Sequence, residues 1–510
     1  METRKIGKAR YASLLVILLS VGSLVMTSVP AVGVPVGLWG APVVASDGEA
    51  TDIAVDGDSI YVVGFDHLAA SHDSGRTWTS APCEHSKICA SDGAIYRASM
   101  DISEYYEATI WFSLSTDGGM TWSASVHVMT LSGGNDGSYG ISKFGSRLFV
   151  YSLDGSPGTN DQGAMIKVTW SDNLGEKWSK PVLVDEGLYV EDPLANDIVC
   201  AKGVLYLAYY DQTPGYDNVE VVVARSTNMG KSWESAVVAT GPNAHNPVMT
   251  VDDSSGELYL SYLSAIVMPD WTLVDAGPYV VKSVDGIAWS SPVKAGAITL
   301  ATDQSGFHSL AAASGRVFEG YLDYQLLDSV GAYDLRISCS MDGGFTWTDM
   351  GDVTGMSTNA VYPMLAISSG ELHFVWTDYG TGSPWYDPGT TYHRSMALTA
   401  VFGDVTVFRG KGGNPATDAK TMSYVPAKNG WLWTSVVSSQ LPVLRVDIYD
   451  TTAGKAVLVW NECLVFAASN GGQLDSSMVR VAAGHEYLVK LTPIGMMGAS
   501  AEVTGLFVPG

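Results

Sequence analysis

Apolar and polar residues alternate in pairs of short segments along most of the chain, and a turn separates the two segments of each pair. One pair runs from Asp52 to Val63 and another from Tyr362 to Phe374. A period of two residues is typical of a strand that buries one face, so each pair predicts a β-hairpin, whose strands we name A and B. Seven such hairpins are predicted, at 52–63, 88–96, 139–149, 196–207, 246–259, 308–318 and 362–374.

A short string recurs downstream of six of these hairpins. Its first copy reads Ser71-His-Asp-Ser-Gly-Arg-Thr-Trp78. Asp or Asn at the third position can accept hydrogen bonds from the turn's own N–H groups, and glycine permits a positive φ, so the string predicts a turn between two further strands, C and D. The tryptophan then begins strand D and buries its ring against a neighbouring sheet. The third-position residues and tryptophans, to which we assign structural roles, are Asp73, Trp78, Asp117, Trp122, Asn173, Trp178, Asn228, Trp233, Asp285, Trp289, Asp342 and Trp347.

Strands A to D form a repeating unit, because the tryptophans follow one another at steps of 44 to 58 residues. Four antiparallel strands repeated around an axis predict an all-β propeller. We predict seven blades over residues 45–402, with six as the alternative if the first and shortest unit is incomplete. In the seventh unit Ser395 stands where the string would begin, but the turn and the tryptophan are missing.

These strings resemble the Asp-box (BNR) repeats of the sialidase superfamily. The resemblance implies the propeller fold, but it implies no single activity, because the same box occurs in sialidases, other glycosidases, sorting receptors and assembly factors. Beyond the propeller, short alternating runs between Trp431 and Leu491 predict a C-terminal β-sandwich over residues 405–510. It resembles the accessory domains of secreted hydrolases, with a role as spacer, cap or carbohydrate-binding module.

The N-terminus predicts export. Arg4, Lys5, Lys8 and Arg10 precede an apolar run, and Val29-Pro-Ala31 offers a cleavage site, so residues 1–31 form a predicted signal peptide, or an N-terminal anchor if uncleaved. We therefore expect a secreted or cell-surface protein that meets a membrane only through this segment. A balance of 28 Lys+Arg against 53 Asp+Glu argues against nucleic-acid binding, which needs clustered cations. We expect a monomer whose partner is a glycan or an extracellular protein.

The five cysteines predict little chemistry. Cys83 and Cys89 bracket a short polar loop and are the candidate disulfide, which an exported chain could form. No cysteine spacing resembles a zinc site, so we expect no metal and no cofactor, with structural calcium as the one alternative.

Propeller topology assigns each loop to one of two surfaces. The A–B turns and the boxes form one surface, the box rim, and the B–C loops and the D-to-A crossings form the other, the loop face. Strand B ends in aspartate in six units, at Asp66, Asp101, Asp154, Asp211, Asp323 and Asp378. Carboxylates accept sugar hydroxyls and aromatic rings stack on sugar faces, so we place ligand binding on the loop face and expect a neutral or cationic ligand. The predicted ligand-binding residues are Asp323, Asp378, Trp385, Tyr386, His245 and His308, and the candidate catalytic residues are Glu191, Asp192, Asp211 and Tyr362.

The sialidase resemblance would imply three arginines that clamp a carboxylate, a tyrosine nucleophile with a glutamate partner, and an aspartate acid/base. Only Arg97, Arg336 and Arg394 could approach the loop face, and all three lie within or beside strands, so we predict that the arginine triad is absent. Tyr362 with Glu191 could mimic the nucleophile pair, and Asp52 the acid/base.

We therefore predict an exported, noncatalytic propeller that binds glycans or surface proteins through its loop face. The alternative is a glycoside hydrolase of the sialidase superfamily, either exo-sialidase-like or another glycosidase that uses paired carboxylates.

Overall fold

The computed structural model describes residues 39–509 with gaps. Apart from one short 3₁₀ helix (Tyr216–Asn218), the described elements are β-strands. The predicted signal peptide lies outside the described residues. The gaps are at 103–106, 132–138, 156–161, 190–197, 269–272, 299–306, 328–329, 341–342, 355–358, 381–388, 399, 407–419, 427–428, 439–442, 453, 466–471, 476–478 and 494–500.

The first 28 described strands form seven four-stranded antiparallel sheets. Sheets 1 to 3 contain β2 (Ala50–Asp56), β3 (Ser59–Gly64), β4 (His67–Ser71) and β5 (Thr79–Pro82); β6 (Ser86–Ser91), β7 (Ala94–Ile102), β8 (Ala108–Ser115) and β9 (Val126–Leu131); and β10 (Tyr139–Phe144), β11 (Arg147–Asp154), β12 (Gln162–Ser171) and β13 (Val182–Tyr189). Sheets 4 to 6 contain β14 (Val199–Ala201), β15 (Val204–Asp211), β16 (Val219–Ser226) and β17 (Glu234–Gly241); β18 (His245–Asp252), β19 (Glu257–Val267), β20 (Leu273–Ser283) and β21 (Val293–Lys294); and β22 (His308–Ala313), β23 (Arg316–Leu327), β24 (Val330–Ser340) and β25 (Thr348–Asp352). Sheet 7 contains β26 (Ala360–Ser368), β27 (Glu371–Asp378), β28 (Thr390–Ala397) and the N-terminal strand β1 (Val43–Asp47).

Sheet 7 explains why the seventh unit has no box. Its outermost strand is β1, which pairs antiparallel with β28 and places Val43 opposite His393 and Asp47 opposite Thr390. Since the fourth strand arrives from the N-terminus, no C–D hairpin is needed after Ser395. The two ends of the propeller sequence therefore meet in one sheet.

Neighbouring sheets pack through their inner strands and enclose the apolar core between them. Strand β2 contacts β6, β18 contacts β22, β22 contacts β26, and β26 contacts β2, so the last sheet returns to the first. The apolar clusters lie between consecutive sheets; one joins Val62 of sheet 1 to Val375 of sheet 7. The prediction of an all-β propeller is confirmed.

The box turns fold around their own polar groups. In the first box, Asp73 Oδ1 accepts hydrogen bonds from the Ser71 hydroxyl (2.8 Å) and from the backbone N–H of Thr77 (2.8 Å), while the Gly75 N–H donates to the Ser71 hydroxyl oxygen (2.9 Å). Hydrogen bonds, foremost from the Thr77 side chain, lower the pKa of Asp73 to about 2. The box carboxylate is thus committed to its own turn.

The regular spacing of glycine and tryptophan in each box serves contact between sheets. Gly175 has φ +87°, and a Cβ there would lie 2.0 Å from the Phe112 ring of the preceding sheet. Trp178 packs on that same ring at a centroid distance of 5.5 Å. The other box tryptophans also pack against apolar clusters between sheets; they are Trp78, Trp122, Trp233, Trp289 and Trp347.

The C-terminal strands form two further antiparallel sheets. One has the order β29-β37-β31-β34, with β35 also paired to β31, and the other has the order β30-β36-β32-β33. The sandwich arrangement of these sheets and the domain boundaries stay predictions. The strands are β29 (Ala400–Thr406), β30 (Lys420–Tyr424), β31 (Gly430–Ser438), β32 (Val443–Asp450), β33 (Val457–Val465), β34 (Gly472–Asp475), β35 (Val479–Val481), β36 (Tyr487–Pro493) and β37 (Ala501–Pro509).

The predicted disulfide between Cys83 and Cys89 is wrong for this structure, in which no disulfide joins them. Cys83 belongs to the apolar cluster between sheets 1 and 2, whereas Cys89 packs against the cluster between sheets 2 and 3. The two side chains therefore lie on opposite faces of sheet 2. Short sequence spacing brought them near each other in the chain but not onto one face.

Candidate functional site

Turn-to-turn hydrogen bonds define the box rim. The Gly93 N–H donates to Asp56 Oδ2 (2.6 Å), which joins the A–B turns of sheets 1 and 2. The Gly343 N–H of a box donates to the carbonyl of Gly315 in an A–B turn (3.0 Å). Because strands A and B run antiparallel, the starts of the A strands and the ends of the B strands gather at the opposite surface, the loop face.

A carboxylate and two phenols are neighbours on the loop face where sheets 7 and 1 adjoin, and each phenol feels the charge of the carboxylate. Tyr362 lies near the start of β26, Tyr379 directly follows β27, and Glu49 lies just before β2. Two backbone contacts seat the Glu49 segment against sheet 7: the Ala50 N–H donates to Thr377 Oγ1 (3.0 Å), and the Gly48 N–H donates to the carbonyl of Gly389 (2.8 Å). We call Glu49, Tyr362 and Tyr379 the mouth cluster.

The backbone at Tyr362 is in an uncommon conformation. Its φ is +57°, and the pairing of β26 with β27 shifts register between Val361 and Met364, as in a β-bulge. A bulge re-aims a side chain, and a left-handed non-glycine residue persists only where its surroundings hold it. Here the Phe307 ring meets the Tyr362 ring edge-on at a centroid distance of 4.5 Å.

The mouth cluster keeps its phenols protonated. Burial raises the pKa of Tyr379, and the neighbouring Glu49 carboxylate and Tyr362 add to the rise. Burial also raises the pKa of Tyr362, again with a contribution from Glu49, since a nearby negative charge opposes phenolate formation. At neutral pH the cluster therefore offers two hydroxyl donors and one carboxylate acceptor, which suits the hydroxyl groups of a polar ligand.

Asp52, the suggested acid/base, has a structural task. Its carboxylate accepts hydrogen bonds from the N–H groups of Ile53 (3.0 Å) and Ile88 (2.8 Å), so it ties β2 to β6. Burial raises its pKa, and the charge of Lys87 opposes the rise. Lys87 itself donates to the carbonyl of Thr51 (3.0 Å).

The three arginines that could have formed a carboxylate clamp have other partners. Arg97 donates to Ser113 Oγ (2.9 Å) and lies 4.3 Å from the centre of the Trp122 ring. Arg336 pairs with Asp349. Arg394 donates to the carbonyl of Gly40 (2.8 Å) and to that of Val353.

The predicted ligand-binding residues separate into different environments. His245 donates through Nδ1 to the carbonyl of Asn243 (2.7 Å), and the Asp378 carboxylate accepts from the Gly380 N–H (2.7 Å). Asp323 is buried beside Arg336, with 3.9 Å between the charged atoms. The prediction for His308 is wrong, because its side chain is fully buried and bonded to Glu319 (2.7 Å), so it cannot touch a ligand.

Among the candidate catalytic residues, the structure describes two. Asp211 accepts hydrogen bonds from the N–H (2.9 Å) and hydroxyl (2.6 Å) of Thr213 in a local turn, and Tyr362 belongs to the mouth cluster. The remaining predicted site residues, and one box aspartate, lie outside the described residues: Glu191, Asp192, Trp385, Tyr386 and Asp342.

In the described part of the chain, no group of three or more His, Cys, Asp or Glu side chains is arranged to hold a metal ion. Structural calcium stays a prediction. The described residues also contain no helix long and apolar enough to cross a membrane.

Sequence reasoning missed Glu49 and Tyr379. Tyr379 directly follows Asp378, one of the strand-end aspartates, so its place on the loop face could have been read from the repeat. Glu49 had no such signal, because it precedes the first predicted hairpin and reaches sheet 7 only through closure of the propeller.

These features define a β-propeller built from Asp-box repeats. Residues 104–374, more than half of the chain, match the family described as BNR repeat-like domain, and the chain belongs to that family. A comparison with curated proteins finds no match.

Several solved structures resemble this one at low identity. One is a sialidase of Trypanosoma rangeli in complex with sialic acid, with 12% identity, 84% of this chain and 92% of that chain covered, and a TM-score of 0.40. Another is a polysaccharide lyase, with 12% identity, coverage of 70% and 91%, and a TM-score of 0.42. A third is an α-L-arabinofuranosidase of Fusarium graminearum, with 14% identity, coverage of 60% and 90%, and a TM-score of 0.37. Likenesses this distant carry no conclusion about activity.

Proposed function

We propose that the protein is exported and binds a glycan through its loop face, with the mouth cluster at the centre of the site, and that it does so without catalysis. The observation that carries the proposal is the meeting of the Glu49 carboxylate with the Tyr362 and Tyr379 phenols at a strained bulge. Two donors, one acceptor and an aromatic surface are what a sugar ring requires.

The electrostatics favour binding over nucleophilic attack. A tyrosine nucleophile needs a depressed pKa or a base that removes its proton. Burial and the Glu49 charge instead raise the pKa of both phenols, which keeps them as donors. With Arg97, Arg336 and Arg394 engaged elsewhere, a neutral glycan fits better than one recognised by its carboxylate.

Binding is tested on a glycan array with the purified chain, followed by titration of the best neutral oligosaccharide. We expect Tyr362→Phe and Glu49→Gln each to weaken binding about tenfold, the loss expected for one buried hydrogen bond. Tyr206→Phe is the matched control, because the Tyr206 hydroxyl donates to the carbonyl of Asp285 on the box rim (3.2 Å). An array without retained glycans, or equal losses in the control, would contradict the proposal.

A glycoside hydrolase is the second candidate, because the charge of the Glu49 carboxylate acts on both phenols. It is tested with a panel of chromogenic glycosides that includes sialosides. Hydrolysis would be established if the wild-type chain turns over a glycoside, Tyr362→Phe and Glu49→Gln abolish the turnover, and Tyr206→Phe keeps it. The proposal of binding without catalysis would then be wrong.

A further inference from the structure

Two inner strands on either side of sheet 6 carry left-handed non-glycine residues at matching places. Asn246 has φ +48° in β18, and Tyr362 has φ +57° in β26. At each residue the pairing with the next strand shifts register. Such conformations cost about 1–3 kcal/mol each and need support from neighbouring groups.

Two consecutive residues, Phe307 directly before β22 and His308 at its start, supply contacts to both bulges. Phe307 meets the Tyr362 ring of sheet 7, and His308 donates through Nε2 to the carbonyl of Asn246 in sheet 5 (2.5 Å). Successive side chains of an extended segment point to opposite sides, so adjacent residues can brace opposite neighbours. The start of β22 thus connects the Asn246 bulge to the mouth cluster.

The hydrogen bonds of His308 require a shared proton. Because a carbonyl oxygen only accepts, Nε2 must carry a hydrogen. On the other side, Nδ1 faces Glu319 Oε1 at 2.7 Å, and one proton lies between them; both side chains are fully buried. Without that proton, a neutral His308 carries a hydrogen on only one ring nitrogen. Its other nitrogen would then face an acceptor without a hydrogen between them, either the Glu319 carboxylate or the Asn246 carbonyl.

Few other groups influence this pair. Burial raises the pKa of Glu319, and the charge of His308 and a hydrogen bond from Ser261 oppose the rise. The strands around the pair carry few other titratable groups close in sequence to the residues that the pair contacts. Those that the structure describes are His245 on β18, Tyr262 on β19, Tyr321 on β23 and Tyr362 on β26. His245 donates to a carbonyl, and the pKa values of all three tyrosines are raised, so none supplies a second negative charge at neutral pH.

We propose that His308 and Glu319 are positioning residues for the mouth cluster, and that their shared proton holds the Asn246 bulge and, through Phe307, the Tyr362 ring. This inference rests on the proposed function for its effect on ligand affinity. Loss of this proton as the pH rises loosens both bulges and weakens binding, whereas a purely structural contact would give the same affinity at every pH.

Glu319→Gln is the informative variant. Its amide can donate to Nδ1 of a neutral His308, whose Nε2 still donates to Asn246, so the brace persists without a shared proton. We expect hydrogen exchange at 243–248 and 360–364 in the wild-type chain to quicken about tenfold once rising pH removes the shared proton, relative to Glu319→Gln at each pH. Glycan affinity should fall over the same pH range in the wild type only.

His308→Ala should lose the brace and show the faster exchange at every pH. If that variant does not fold, the comparison of wild type with Glu319→Gln still decides. Identical pH profiles of exchange in those two proteins would overturn the inference. A difference in exchange without glycan binding by either protein would support the brace and contradict the proposed function instead.

Discussion

The box turns and the His308 contacts on the loop face satisfy their polar groups in different ways. In a box turn the acceptor and its donors belong to one turn, as when Asp117 accepts from the N–H (2.9 Å) and hydroxyl (2.6 Å) of Thr121. His308 at the loop face instead has one partner in its own sheet, Glu319, and one in the neighbouring sheet, Asn246. Local satisfaction lets the box turn repeat, whereas the contacts of His308 depend on how two neighbouring sheets come together.

The backbone shows the same division. Among the described non-glycine residues with positive φ, three lie inside strands, and all three are at the loop-face ends of those strands: Asn246, Asp275 and Tyr362. On the box rim such residues lie in turns, where a left-handed conformation is ordinary. Strain within strands is therefore confined to the surface where the candidate site lies.

Removal of β1 should have the largest effect on stability, because β1 supplies the fourth strand of sheet 7 and no box hairpin could take its place. A chain that begins at residue 48 loses the pairing with β28 and the Trp39 ring, which packs on Phe374 (6.1 Å between centroids). We expect a loss of about 4 kcal/mol or more in the free energy of unfolding, measured by urea titration. A chain that begins at residue 34 is the control, and equal midpoints for the two would mean that sheet 7 does not need its borrowed strand.

Substitution of a box glycine should have the second-largest effect on stability, because such a glycine combines a positive φ with close contact between sheets. Gly175→Ala would place a Cβ 2.0 Å from the buried Phe112 ring at φ +87°, and we expect a loss of about 2–4 kcal/mol. Gly145 lies in an A–B turn with φ +59°, and a Cβ added there would have no atom within 4 Å. Backbone strain alone should therefore make Gly145→Ala cost about 1 kcal/mol of stability. The losses are measured by urea unfolding. If both variants lose the same stability, close contact between sheets does not explain why the box requires glycine.

Sequence predicts the box rim well because each box carries its own donors and acceptors. The six box turns and seven hairpins follow from residues a few positions apart, such as Ser71, Asp73 and Gly75. The loop face resists prediction, since its partners are brought together only by closure: Ala50 and Thr377 bond across 327 residues of sequence. Tyr362 was found because it begins a hairpin, but its partner Glu49 has no repeat to mark it.

The wrong predictions have the same origin. The disulfide between Cys83 and Cys89 was inferred from sequence proximity, yet Cys83 precedes sheet 2 and packs between sheets 1 and 2, whereas Cys89 on β6 packs between sheets 2 and 3. His308 was placed in the ligand site because it begins strand A on the loop face. Its actual role depends on Glu319 and Asn246, which lie on two other strands.

The smallest predicted effect concerns the charge of a box aspartate. Hydrogen bonds, foremost from the Thr121 side chain, lower the pKa of Asp117 to about 2 from its ordinary value of 3.8. A depressed folded-state pKa stabilises the protein above the unfolded value, so this contribution is present at neutral pH and disappears as the pH falls from about 4 to about 2. Asp117→Ala should therefore lower the melting temperature at pH 7 and approach the wild type at acid pH.

Asp117→Asn should behave differently, because two boxes already use asparagine. Asn228 accepts from the Ser232 N–H (2.9 Å) and donates through its amide to the Ser232 hydroxyl (2.7 Å), and the amide introduced by this substitution could bond to Thr121 in the same way. The variant should stay close to the wild type at pH 7 and lose less stability on acidification, measured by melting temperature between pH 7 and pH 3. If Asp117→Asn is as damaging as Asp117→Ala, the carboxylate itself is required, and an amide cannot replace it in this box turn.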